Sequence, residues 1–371
     1  MSTMKVAVIA AERAAFVRAA PLIAELTARR EFRLQFIFAG EDYVAHASSE
    51  LFRDLGLPYA DMVIGASEGT VAQRLAKVMV GCERLATTRE PEAIILVGSS
   101  HVMLGCAVTC AGLNPILTHV DAGLRAPGLA GRTSVAAQID RACDMLMAAS
   151  EQAHDRLVDG GAPEDAVVLT GPLVCDAAAR CLDAARAENA AQAAGLSAKA
   201  YALAIIEAPE NVEHLANLRK VADVLTAAQE RLPVALVMHP RLVRRLASWD
   251  LSDAILDLPQ LRPVEPAGYV AYLSLLDSAR IVFTDIGGVQ DEATFLGVPC
   301  LTLAETTDRI ATVESGGNLL VGLDLAFALQ AVEALVTNEY VPPPLPRAWD
   351  GGASGRIADA LVRAVAQRGD G

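Results

Sequence analysis

"FTDIGGVQDEATFLGVPC", Phe283–Cys300, follows "ARIV" and leads into "LTLAE". Its pattern is an apolar β-branched segment, a turn with two glycines, a segment of helical period over "VQDEATFL", and a second apolar run. That is strand, tight turn, helix, strand, the repeating unit of a parallel α/β sheet. Gly287 and Gly288 carry no side chains, so a ligand group can approach main-chain N–H donors at the start of that helix, a geometry suited to an anion. The alternative is a tight strand-to-helix turn with no ligand.

Working outward, the same alternation recurs along the chain. "KVAVIA" precedes a helical segment through "RAAPLIAELTARR", "RLQFIFAG" follows, and "EAIILVGS" leads into "HVMLGCAVTCAGL". After the Ala-rich "AARAENAAQAAGLSAKA", expected to be a charged, solvent-facing helix, the pattern restarts with "YALAIIEAP", "PVALVMHP", "ARIVFTDIGG" and "VPCLTLAE". The expected fold class is therefore α/β, with two Rossmann-like doubly wound domains. The expected division is 1–170, completed by a C-terminal helix over 354–371, and 171–353. Ligands of open α/β sheets sit beyond the carboxyl ends of the strands, so a cleft between the domains is the expected site.

Composition narrows the function classes. The apolar fraction of 53% fills two cores in 371 residues. A formal net charge of −14 with scattered arginines argues against a nucleic-acid surface. No apolar run approaches a membrane span and no secretory signal opens the chain, which reads as a cytoplasmic protein. Seven cysteines without paired metal spacing read as reduced, mostly buried thiols, so neither a metal site nor a cofactor is expected.

Several motifs together resemble the non-hydrolysing UDP-N-acetylglucosamine 2-epimerases. "DIGGVQDEA" is similar to that family's D-S-G-G-x-Q-E-E-A, "HVDAGLR" to its H-V-E-A-G-L-R, and "ETTDRIATVESGGNLLVG" to its T-T-E-R-P-E…G-T-N-x-L-V-G. "RAAFVRAAPLI" and "DGGASGRI" extend the likeness towards both ends. The resemblance implies a two-Rossmann architecture of the glycosyltransferase-B type, a UDP-linked sugar as ligand and a homodimer. It implies UDP contacts from Arg13, Arg18, Asp285, Gly287, Gly288 and Arg309, a ribose-binding carboxylate at Glu292, and a uracil pocket lined by Tyr269 and Tyr272. The D-S-G-G serine is Ile286 here, which removes a hydroxyl contact to the diphosphate worth about 1.5–3 kcal/mol.

The catalytic half departs further. The resemblance implies proton removal at sugar C2, loss of UDP and its return to the other face, chemistry that needs positioned acids and bases. The G-D-T aspartate is Ser99, the first glutamate of P-E-E-x-N-R is Ala137 in "VAAQIDR", and the histidine of H-R-x-E-N is Glu207. The V-E-A-G-L-R glutamate is Asp121. Asp121 and Glu207 are thus the candidate catalytic residues for an altered reaction on a UDP-sugar. A non-catalytic nucleotide-sugar-binding or partner subunit, and a hydrolysing or glycosyl-transferring enzyme, are the alternatives. Asp121 as a turn cap, Arg125, Arg141, Arg309 and Glu314 as surface ion-pair partners, and His101, His119 and His239 as structural histidines are the plain readings of the same residues.

Overall fold

The structure is a computed structural model that describes residues 3–40, 48–65, 69–126, 134–265 and 268–369. Two compact units divide the chain: Met1–Arg180 with Arg347–Gly371, and Cys181–Pro346. The first is built on seven strands: β1 Met4–Ala10, β2 Phe32–Gly40, β3 Met62–Gly65, β4 Ala93–Val97, β5 Ile116–Ala122, β6 Met145–Ala148 and β7 Val167–Leu169. Their order is β3-β2-β1-β4-β5-β6-β7, and neighbours run parallel. β4 reads AIILV and is wholly buried, because helices cover both faces of such a sheet and leave no polar side for alternation.

The second unit repeats the plan with β8 Ala202–Ile205, β9 Val234–Val237, β10 Leu261–Val264, β11 Ile281–Thr284, β12 Cys300–Thr302 and β13 Asn318–Leu320. The order is β10-β9-β8-β11-β12-β13, again parallel. In each unit the first strand laid down sits in the middle and the chain then winds out in both directions. The strand order reverses between β1 and β4, and again between β8 and β11. Loops part at these two points, leaving room beyond the strand ends.

The C-terminal helix Ala353–Gly369 returns to the first unit. Buried Asp176 holds its start: the carboxylate accepts from the Ala353 and Ser354 amides at 3.0 and 2.7 Å and from the Ser354 hydroxyl at 2.6 Å. These are orphan donors of a helix N-terminus, and a carboxylate there satisfies them.

The Ala-rich stretch is helical, as expected, but interrupted. Helix Leu173–Glu188 stops at Asn189, whose φ of 53° breaks it, and a short helix Ala190–Ala193 follows. Ala185, Ala191 and Leu196 are buried. Most of the remaining residues of 184–200 are exposed, so the stretch is a largely solvent-facing pair of helices with a bend at Asn189, where the Ser274 hydroxyl accepts from the Ala190 amide at 3.3 Å. Among the described residues no helix is long and apolar enough to cross a membrane.

Candidate functional site

The β8/β11 reversal carries the opening stretch. Helix Gly287–Phe295 begins at the first glycine, its N-cap is Ile286, and no side chain caps it. A Cβ added at Gly288 would meet nothing within 4 Å, whereas one at Gly287 would lie 3.0 Å from Asp308 and 3.2 Å from the Arg309 side chain. Gly287 is therefore glycine because Arg309 packs over it, and Gly288 borders open space. Ile286→Ser is expected to stabilise the fold by about 1 kcal/mol in urea unfolding, because serine at this position accepts from an uncapped amide. If phosphate also docks here, the same variant binds UDP more tightly in calorimetry; weaker binding would mean that Ile286 packs against the ligand.

Asp285 makes three hydrogen bonds within the fold. Its Oδ1 accepts from the Glu207 and Ala208 amides at 2.9 and 3.1 Å and its Oδ2 from Asn211 at 2.8 Å. Burial raises its pKa while these donors work against the rise. Asp285 thus braces the loop after β8 to the end of β11. That loop presents Glu207, whose carboxylate lies 3.7 Å from the His239 ring. Arg309 is not a surface pair: it donates to Asp291 at 2.7 Å and to Asp308 at 2.9 Å, and both it and Asp291 are nearly inaccessible.

Glu292 is buried and accepts from the hydroxyls of Tyr269 and Tyr272 at 2.6 and 2.5 Å. The helix Tyr269–Ser278 supplies both rings from successive turns; Pro266 and Ala267, which open the matching motif, lie outside the described residues. Burial pushes the Glu292 carboxyl up to about 7, against the lowering effect of the two hydroxyls. The folded form then holds its proton more tightly than the unfolded one, whose ordinary value is 4.5. Stability from this group is full below that value and is lost as pH rises through about 7, roughly 3 kcal/mol in all. Glu292→Gln is expected to flatten that part of the pH dependence of the urea midpoint; an unchanged slope would remove Glu292 as its source.

The first unit gathers its polar residues around the carboxyl ends of β1, β4 and β5. Arg13 and Arg18 lie on helix Arg13–Ala28 directly after β1, with Arg13 exposed and within 3.4 Å of the Ser48 hydroxyl. Arg18 donates to Asp121 Oδ2 at 3.1 Å. Asp121 sits where β5 slips register against β6, and its φ is 57°, left-handed and uncommon for a residue with a side chain. It is 6% exposed, and its Oδ1 has no hydrogen-bond partner among the described residues. A cap would spend that oxygen on a backbone amide, so the plain reading of Asp121 as a turn cap does not describe it.

Two residues before Asp121, His119 belongs to a buried pair that the motifs did not join. His119 is fully buried on β5, with Nδ1 2.5 Å from Asp140 Oδ1, and Nε2 3.2 Å from the Gly98 carbonyl and 3.4 Å from the Ser99 hydroxyl. Asp140 also binds the Arg125 guanidinium and the Gly123 amide, the latter at 3.2 Å. Burial works to raise the Asp140 carboxyl, but His119 and Arg125 outweigh it and hold it below the usual range. Arg125 is thus a buried partner, not a surface one. Sequence reading missed Asp140 because twenty-one residues separate it from its histidine, and only adjacency of β5 to the helix Val135–Ala142 joins them. Ala137 lies on that helix with no group to offer.

Two parallel Rossmann-like units, each with its polar residues at the strand-order reversal, define a two-domain protein of the glycosyltransferase-B type. The chain belongs to the UDP-N-acetylglucosamine 2-epimerase family, whose model matches residues 24–362. It is 27% identical over 346 residues to the UDP-N-acetylglucosamine 2-epimerase of Methanocaldococcus jannaschii, covering 91% of this chain and 93% of that one. It is 26% identical over 368 residues to the UDP-2,3-diacetamido-2,3-dideoxy-D-glucuronate 2-epimerase of Pseudomonas aeruginosa, covering 97% and 100%. The crystal structure of the M. jannaschii enzyme in complex with UDP-GlcNAc and UDP aligns with a TM-score of 0.86 at 26% identity, covering 97% of this chain and all of that one.

Proposed function

We propose that the protein binds a UDP-linked N-acetylhexosamine and moves the proton at C2 of its sugar, with Asp121 as the base and with proton-handling groups altered from the family's pattern. The observation that carries this reading is the Asp121 carboxylate: buried, anchored by Arg18 through one oxygen, and left with the other oxygen unspent. A base at carbon needs such a carboxylate, held in place and shielded from water. The nucleotide assignment is supported by the uncapped helix start at Gly287 and Gly288 and by the UDP-sugar epimerases among the relatives. Glu207, with His239 beside it, is the second proton-handling candidate.

The test is to incubate the protein with UDP-N-acetylglucosamine in D2O and to follow sugar products, free UDP and deuterium at C2. Deuterated epimer without net release of UDP supports the proposal. Free sugar with UDP would show a hydrolysing reaction instead, and saturable UDP binding without products or exchange would make the chain a binding protein. No saturable binding by calorimetry would end the nucleotide assignment itself.

A further inference from the structure

Hydrogen-bond distances join Ser99, His119 and Asp140 in sequence, and among the described residues this line has one exposed end. Nδ1 of His119 faces the Asp140 carboxylate at 2.5 Å, and Nε2 faces the Gly98 carbonyl at 3.2 Å. These two neighbours are acceptors, whereas the Ser99 hydroxyl at 3.4 Å from Nε2 can either donate or accept. A carbonyl oxygen has no hydrogen to give, and Asp140, held low by His119 and Arg125 against its burial, is ionised. Proton transfer from His119 to Ser99 needs the doubly protonated ring, with Nδ1 donating to Asp140 and Nε2 placed between the Gly98 carbonyl and the Ser99 hydroxyl. The ring has no exposed atom, while Ser99, 3.4 Å from Nε2, is exposed at the end of β4.

Two departures from the family's motifs meet in this line. Ser99 stands where G-D-T has its aspartate, and Asp140 stands where P-E-E-x-N-R has asparagine. The carboxylate missing from the surface position has a counterpart two hydrogen bonds deeper.

We propose that Ser99 is the proton donor and acceptor for the departing and returning diphosphate, recharged by His119 with Asp140 as its counter-ion. This rests on the UDP-sugar reading above. As the bond between C1 and the phosphate oxygen breaks, its electron pair goes to that oxygen, which takes the Ser99 Oγ proton. Nε2 passes its own proton to Oγ, so the imidazole becomes neutral and keeps its Nδ1 hydrogen on Asp140. Return of the diphosphate runs the same transfers backwards, and no proton is consumed overall. A serine nucleophile is the other use of such a trio, but its histidine must also reach the leaving group. Among the described residues His119 reaches no exposed group except the Ser99 hydroxyl. His119 and Asp140 are positioning residues in this scheme, and Ser99 alone meets the substrate.

The experiment compares wild type, Ser99→Ala, Ser99→Thr and Asp140→Asn. It measures UDP affinity by calorimetry, C2 deuterium exchange, oxygen-18 scrambling in the diphosphate of labelled UDP-N-acetylglucosamine, and the protonation of His119 by nitrogen-15 NMR. Ser99→Ala and Asp140→Asn are expected to bind UDP within about threefold of wild type and to lose scrambling about 10²-fold or more, with Ser99→Thr largely retaining it. Asp140→Asn is also expected to strip one ring hydrogen from His119. Wild-type scrambling in Ser99→Ala would overturn the proposal. So would covalent labelling of Ser99 by a fluorophosphonate, or a neutral His119 in the wild type. The NMR result stands whether or not the wild type turns over, so an imidazolium with no exchange at C2 would count against the proposed reaction and leave the line of hydrogen bonds intact.

Discussion

Asp121→Asn is expected to lower C2 proton exchange by about 10²–10⁴-fold while leaving the fold intact, because a positioned general base contributes about that much and asparagine removes the basic oxygen alone. The backbone accepts the change: asparagine is among the residues most at ease with a φ near 57°. Its carbonyl can take the place of Oδ2 before Arg18, and its amide the place of Oδ1. The carboxylate Oδ1 is buried and unspent, and a buried polar atom without a partner costs about 1–3 kcal/mol. Asp121 thus trades stability for an available oxygen. The asparagine variant keeps a hydrogen bond to Arg18 but loses the ion pair and should melt slightly lower than wild type, and Asp121→Ala should melt lower still, since alanine at this φ is strained. Exchange at the wild-type rate in the asparagine protein would take the proton step away from Asp121.

Gly123→Ala should be nearly as damaging, although no functional group is lost. Gly123 has a φ of 78°, and a Cβ there would lie 2.4 Å from the backbone oxygen of Ala153. That oxygen belongs to the helix Glu151–Asp159 and cannot rotate aside. Left-handed strain and forced repacking together amount to roughly 2–5 kcal/mol. The damage reaches the site because the Gly123 amide binds Asp140 and its carbonyl accepts from Arg156 at 2.9 Å. The variant should show a large fall in the urea midpoint and, in the folded fraction, impaired exchange at C2. A protein of wild-type stability would mean that the turn relaxes without cost.

Much of this was legible before any coordinates. The short β-branched runs between Ala/Leu-rich segments declare parallel sheets, since strands covered on both faces need no polar alternation. The glycine pair at 287 and 288 marks a strand-to-helix turn because a bare backbone there has few other uses. Asp121, Glu207, Arg13, Arg18 and Glu292 were all visible as candidates through their motifs.

What each carboxylate does was not legible, because hydrogen-bond partners come from strands and loops far apart in the chain. That Asp285 braces the loop after β8 appears only once β8 and β11 lie side by side and bring Glu207, Ala208 and Asn211 to its oxygens. The break in the Ala-rich stretch at Asn189 was not legible, because alanine favours helix on both sides of it. The sequence by itself determined two doubly wound units and the identity of the polar residues at their strand ends, since periodicity and turn chemistry are local. The tertiary structure alone decided that Asp121 keeps an oxygen unspent and that His119 joins Ser99 to Asp140, since burial and long-range hydrogen bonding exist only when distant strands are paired.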